Sequence, residues 1–401
     1  MKIQIPDALK SAVPATTWGK ILAATPVVMT VLATMLAGLA SSEMTRAQYD
    51  RSLAAQQQSK AGDQWGYFQA KRLRGTGLKT TGDVLQVTAE VGRFDAASLK
   101  SALANRPEEL ARCAESARKL RDAVTATGAT VQALAGALDA FLQGVPRRTT
   151  EADKTAADLT AVLSADSATA ALETLCSGSP PALPSGPALE ANLKAALDAV
   201  DQGQTAAELA PLLAKVSLRD LDDALRAARD RARAFDTLIG PVNRLSDQLD
   251  ALLARQSALA QESRTAARLA SAFPADADPG LRRAAESSVA ACLAVQSDAM
   301  QLHRDFTVAR LRFAAARYDA EARLNQTIAN LYELQVRKNN LSAERHHFRS
   351  QRFFYGMLAA QMAVIISTFA MAAQKRNLLW SLAAAAGAGA MLFAAYVFLY
   401  A

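Results

Sequence analysis

The chain holds few residues of the types that do chemistry. Its 401 residues include only three histidines and three cysteines. Cys113, Cys176 and Cys292 stand apart, with no CxxC and no Cys/His cluster, so the spacing of a zinc site is missing. They read as small buried residues in helix packing. In an oxidising compartment one pair would also be free to form a disulfide. His346 and His347 are adjacent, point about 100° apart on a helix, and cannot hold one metal together. No phosphate-binding loop, GxSxG or HExxH occurs, and the scattered acidic residues offer no catalytic dyad. No catalytic, cofactor-binding or metal-binding residue is therefore assigned, and the chain is not expected to be an enzyme. Three polar or small-residue features remain. Arg345, His346, His347, Arg349 and Arg352 form a basic collar beside an apolar run, suited to anionic lipid headgroups or to anchoring a helix end. Gln361 lies inside that run, where an amide needs another helix or a water-filled path. Ala383 with Gly387, and Ala385 with Gly389, have the spacing that lets membrane helices approach closely.

These groups are positioned by three apolar segments. Residues 21–40 carry no charge, and about 20 residues at 1.5 Å each match a ~30 Å hydrocarbon core. Trp18 and Lys20 stand at interface depth. The run exceeds the 7–15 residues of a signal-peptide core, the rival reading, although the Ala-Gly-Leu-Ala before Ser41 resembles a cleavage site. Residues 353–373 and 378–400 form a hairpin around the short turn Gln374-Lys375-Arg376-Asn377, with Trp380 following at interface depth. Three spans put the N-terminus and this turn on one side. Lys2, Lys10, Lys20, Lys375 and Arg376 favour that side as cytoplasmic, whereas Arg337, Lys338, Arg345, Arg349 and Arg352 crowd the opposite membrane edge. Long segments translocate largely regardless of charge, so the large middle segment is expected outside the cytoplasm. The net charge of +7 sits disproportionately in the tail and the turn. The middle is nearly balanced, which excludes the concentrated basic face of a nucleic-acid binder.

The middle segment reads as helix throughout, since Gly and Pro fall between helical stretches and runs of β-branched residues are absent. The expected fold class is all-α, three membrane helices plus a large helical-bundle or coiled-coil-like segment with very long helices. The division runs as a tail (1–20), the first span (21–40), a membrane-proximal helix (41–78), a helical insertion (79–278), a long helix leading into the membrane (279–352) and the hairpin (353–401). Stops are expected near Gly75-Thr76-Gly77, at Asn105-Arg106-Pro107 and in the loop 177–187, with an interruption at Gly240-Pro241. No Pro or Gly falls between Gly280 and Gly356, so one helix should run from the soluble part into the second span. Its apolar stripe, Leu302, Phe306, Ala309, Phe313, Ala316, Ala320, Leu324, Ile328 and Leu331, repeats at about 3.6 residues.

The stretch AGDQWGYFQAKRLR (61–74) resembles a group of bacterial membrane proteins of unknown function. They carry one N-terminal span, an Asp-Gln-Trp-x-Tyr-x-Gln-Ala-Lys stretch, further helices and a C-terminal two-span hairpin with a basic turn. The matching residues are Asp63, Gln64, Trp65, Tyr67, Gln69, Ala70 and Lys71, with the aromatic Phe68. Near the C-terminus they are Glu344-Arg345-His346-His347, Lys375-Arg376 and Trp380. The resemblance covers roughly 20–75 and 300–401 and implies this topology but no activity. Read physically, Trp65 and Phe68 share a helix face and should pack on the helix entering the second span. Asp63 and Lys71 are candidates to pair with Glu344, Arg345 or Arg349.

The expected function is a non-enzymatic, membrane-anchored scaffold that assembles as a homo-oligomer in the bacterial inner membrane, in contact with membrane lipids and open to an unidentified protein partner. A channel or transport component using Gln361, and a ligand-sensing helical bundle, are the alternatives.

Overall fold

The computed structural model describes residues 17–127, 132–164, 166–183, 189–271, 278–372 and 376–400. Nine helices and no strand occur among them: α1 Thr17–Thr88, α2 Ala96–Thr127, α3 Gln132–Leu163, α4 Asp166–Ser177, α5 Ala191–Asp201, α6 Ala206–Lys215, α7 Leu218–Ser271, α8 Pro279–Ala372 and α9 Arg376–Tyr400. The fold is all-α. Three of the helices are long and apolar enough to cross a membrane, within Ala23–Thr88, Pro279–Met371 and Asn377–Leu399. The turn residues Gln374 and Lys375 lie outside the described residues.

The chain divides into two compact units. One comprises Met1–Asp63, Ala188–Leu225 and Ala329–Ala401, the other Gln64–Pro187 and Arg226–Ile328. In the first, the span helices meet through small side chains. Ala33, Leu36 and Ala40 of α1, Phe353 and Ala360 of α8, and Ala390 and Val397 of α9 form one buried cluster. Trp380 donates its indole N–H to Thr25 Oγ1 at 3.0 Å, tying α9 to α1. In the same unit, α5 and α6 form a hairpin. It turns at Gly203, whose φ of 69° suits a residue without Cβ. A reciprocal Thr205–Glu208 capping box starts α6. Polar side chains of α8 hold this region. Asn330 donates to Asp201 Oδ1 and Gln335 to Asp222 Oδ1, each at 2.5 Å. Lys338 donates to the Leu213 carbonyl at 2.6 Å.

The second unit has two cores built from larger side chains. One gathers Phe94, Phe235, Phe306 and Phe313 with Leu159, Leu172, Leu249 and others. The other gathers Leu110, Leu120, Leu138, Phe141, Leu259 and Val295 around Cys113 and Cys292. The stripe from Leu302 to Leu331 faces inward as its period predicts, with Phe306 fully buried.

Three expected helix breaks do not occur. Helix α1 runs through Gly75-Thr76-Gly77 to Thr88. Gly75 is a point of close helix approach, because a Cβ there would stand 3.3 Å from the Ala315 carbonyl oxygen. Helix α2 passes through Pro107. The ring removes one hydrogen bond at a cost of about 3 kcal/mol. The burial of Leu110, Cys113, Ala117 and Leu120 along one face offsets that cost. The neighbouring Arg106 is 1% exposed and donates to the Val295 carbonyl at 2.7 Å and to Glu109 at 2.8 Å. Helix α7 likewise continues through Gly240-Pro241, where Phe235, Ile239, Val242 and Leu245 all enter the core.

Candidate functional site

The motif residues of α1 take up different surroundings. Trp65 and Phe68 share a face and stack edge to face with ring centroids 5.3 Å apart. Asp63 and Tyr67 are exposed, while Gln64 and Lys71 are half-buried. Lys71 pairs with Glu321 rather than with Glu344. The Glu321 carboxylate also forms an ion pair with Arg317, whose Nε lies 3.3 Å away. Both cations lie over the Tyr318 ring, Lys71 Nζ at 5.1 Å and the Arg317 guanidinium at 4.4 Å from its centroid. Arg317 further donates to Asn243 Oδ1 at 2.8 Å. Every charge in this cluster already has a partner. It fixes helices to one another. Tyr318 and Glu321 carry no local sequence signal for this role, since 250 residues separate Lys71 from Glu321.

The membrane-edge collar divides between roles. His346 Nδ1 is 2.5 Å from Glu43 Oε2, which joins α8 to α1. Ser350, buried between these helices, donates to the Ala40 carbonyl at 2.7 Å. His347 Nε2 lies 3.1 Å from the Gln351 amide nitrogen. Arg345 and Arg352 are exposed and Arg349 is half-buried. A groove of about 500 Å³ runs beside His347, Gln351, Phe354, Tyr355, Ser41 and Met44. The three arginines do not line it. The five collar residues therefore do not converge on one binding point.

Within the spans the small-residue pairs separate. Ala383 and Gly387 face inward, and a Cβ at Gly387 would fall 2.2 Å from Met29 Cε. Ala385 and Gly389 face outward, with open space around Gly389. Gln361 is exposed on the outer surface of α8 and does not face another helix of its own chain. Phe353, Ala360 and Ala363 occupy the inward face of this helix, so another helix or a water-filled path for Gln361 would have to lie outside the chain.

Cys113 and Cys292 form a disulfide between α2 and α8 across 179 residues of sequence, and both are fully buried. Cys176 is free and half-buried, and burial pushes its thiol up to about 11, above the range of reactive cysteines. It borders a cavity of about 420 Å³ with Arg93, Asp95, Lys100 and Glu173. Among the described residues no group of three His, Cys, Asp or Glu side chains could hold a metal ion.

In the second unit, α1 presents Gly66, Ala70, Leu73, Gly77, Thr80, Val84 and Val87, spaced 4-3-4-3-4-3, and all are exposed. Leu73 is 75% and Val87 87% exposed, and Gly66 and Gly77 have open space where a Cβ would stand. The charged residues of this stretch, Lys71, Arg72, Arg74, Lys79 and Asp83, lie off the stripe. The 4-3 spacing was visible in the sequence, but only the structure tells an outward stripe from an inward one.

Residues 18–145 match the model of a domain of unknown function, DUF4337. The match includes the motif stretch and continues through α2 into α3, while the C-terminal hairpin lies outside it. No curated protein and no solved structure matches the chain.

Proposed function

We propose that the chain is a non-enzymatic, multi-pass protein of the bacterial cytoplasmic membrane whose helical segment assembles with further copies of itself into a scaffold. The observation that carries this reading is the uncharged stripe from Gly66 to Val87, exposed along its whole length. A solvated helix face ordinarily carries charge. A seven-residue apolar repeat is the seam along which helices pair, and glycines in it allow close backbone approach. The span surfaces add to this reading. Only 28%, 33% and 22% of their most apolar windows are buried within the chain, leaving the remainder for lipid or neighbouring subunits.

The disulfide supports an orientation. Buried structural disulfides belong to oxidising compartments. With Cys113 and Cys292 paired, the large helical segment belongs outside the cytoplasm, and the N-terminal tail and the Lys375-Arg376 turn belong inside it. The positive-inside rule, weighted toward short segments, points the same way.

Single-particle imaging and mass measurement of the full chain in lipid nanodiscs test the reading. A closed assembly of several subunits is expected, and the Leu73→Lys, Val84→Lys double variant should shift it toward smaller species. A monodisperse wild-type monomer at micromolar concentration would overturn it.

A further inference from the structure

We propose that the outward face of the second span is a self-association seam in which Gln361 of one copy hydrogen-bonds Gln361 of a second copy. This rests on the membrane-spanning, oligomeric reading above. Phe354, Leu358, Gln361, Ile365 and Thr368 of α8 are all exposed and are spaced 4-3-4-3. That is the seam spacing of two helices packed in a left-handed pair. Its central member is the polar one.

The serine and threonine hydroxyls of the spans are satisfied within the chain. Thr25 donates to the Ile21 carbonyl at 2.8 Å, Thr30 to Pro26 at 2.7 Å and Thr34 to Thr30 at 2.9 Å. Ser367 and Thr368 donate to the Val364 carbonyl at 2.9 and 2.6 Å, and Ser381 to Leu378 at 2.9 Å. Gln361 makes no hydrogen bond to any described residue. It lies near the middle of the apolar run, where neither water nor lipid tails offer a partner. A glutamine amide both donates and accepts, so two copies related by a two-fold axis satisfy each other. A heterologous partner would need its own polar residue at the same depth, whereas a second copy supplies one by construction. A single polar residue at such a seam also fixes register, because any slip leaves two amides unpaired.

The test uses the full chain in nanodiscs, carrying Cys176→Ser to remove the free thiol. Single cysteines are placed on the seam (Leu358→Cys, Ile365→Cys) and about a quarter turn to either side of it (Met362→Cys, Met371→Cys), with Gln361 intact. Oxidation should link the two seam positions into dimers at least tenfold more than the two flanking ones. Adding Gln361→Leu should abolish that preference and Gln361→Asn should retain it. Equal linking at all four positions, or none in a sample whose mass still shows an oligomer, would overturn the seam and leave the scaffold reading standing. A monomeric wild type would instead sink the scaffold reading itself. Links from the seam positions to a different protein alone, when the same variants are oxidised in native membranes, would also overturn the proposal.

Discussion

The two units of the chain pack with different materials. The span cluster relies on Ala33, Ala40, Ala360 and Ala390, with Leu36, Phe353 and Val397 as its large members. The cores of the other unit rely on phenylalanines and leucines closed by a disulfide. The solvent explains the contrast. Lipid tails are as apolar as leucine, so burying a large side chain between membrane helices gains little, and close contact of small residues holds them. In water each buried Å² of apolar surface contributes about 25 cal/mol, so large side chains stabilise most.

Four variants would break or sharpen this contrast. The largest effect is expected from Phe306→Ala. Phe306 is fully buried and stacks edge to face on Phe94 at 5.4 Å. Its loss should cost about 3–5 kcal/mol, seen by hydrogen exchange as lost protection in peptides around Phe94 and Phe235 and not in the span helices. Removing the disulfide by Cys113→Ser with Cys292→Ser should cost about 2–5 kcal/mol. The lost protection should then centre on Leu110–Val124 and Ala285–Val295, with the span cluster again unchanged. The smallest effect is expected in the membrane. Gly387→Val must displace Met29 and should cost about 1–3 kcal/mol by overpacking, read as a lower unfolding midpoint in mild detergent. Gly389→Val, with nothing within 4 Å, should leave the single chain unchanged. Equal effects at the two glycines would refute the small-residue account of the span packing.

Much of the fold was legible. The uncharged run 21–40, the hairpin around its basic turn and the inward stripe from Leu302 to Leu331 rest on length and period alone, and backbone hydrogen bonding leaves an apolar segment of that length few forms other than helix. The helix breaks were less legible. Gly75 and Pro107 are breakers by intrinsic preference, but preference is worth about 1 and 3 kcal/mol, and the packing of α1 against Ala315 and of the Leu110–Leu120 face exceeds it. Among the candidate site residues, Trp65 and Phe68 share a face as their spacing requires. Lys71, Asp63 and Gln361 could not be placed from spacing, because a partner distant in sequence leaves no local trace.

The sequence by itself determined the all-helical class, the number of apolar segments and which face of α8 turns inward, because these depend on period, length and local hydrogen bonding. Only the tertiary structure decided that Cys113 meets Cys292, that Lys71 meets Glu321, and that the Gly66–Val87 stripe and Gln361 face outward. Those outcomes depend on which distant helices come into contact, and on which apolar stripes the chain's own helices leave uncovered.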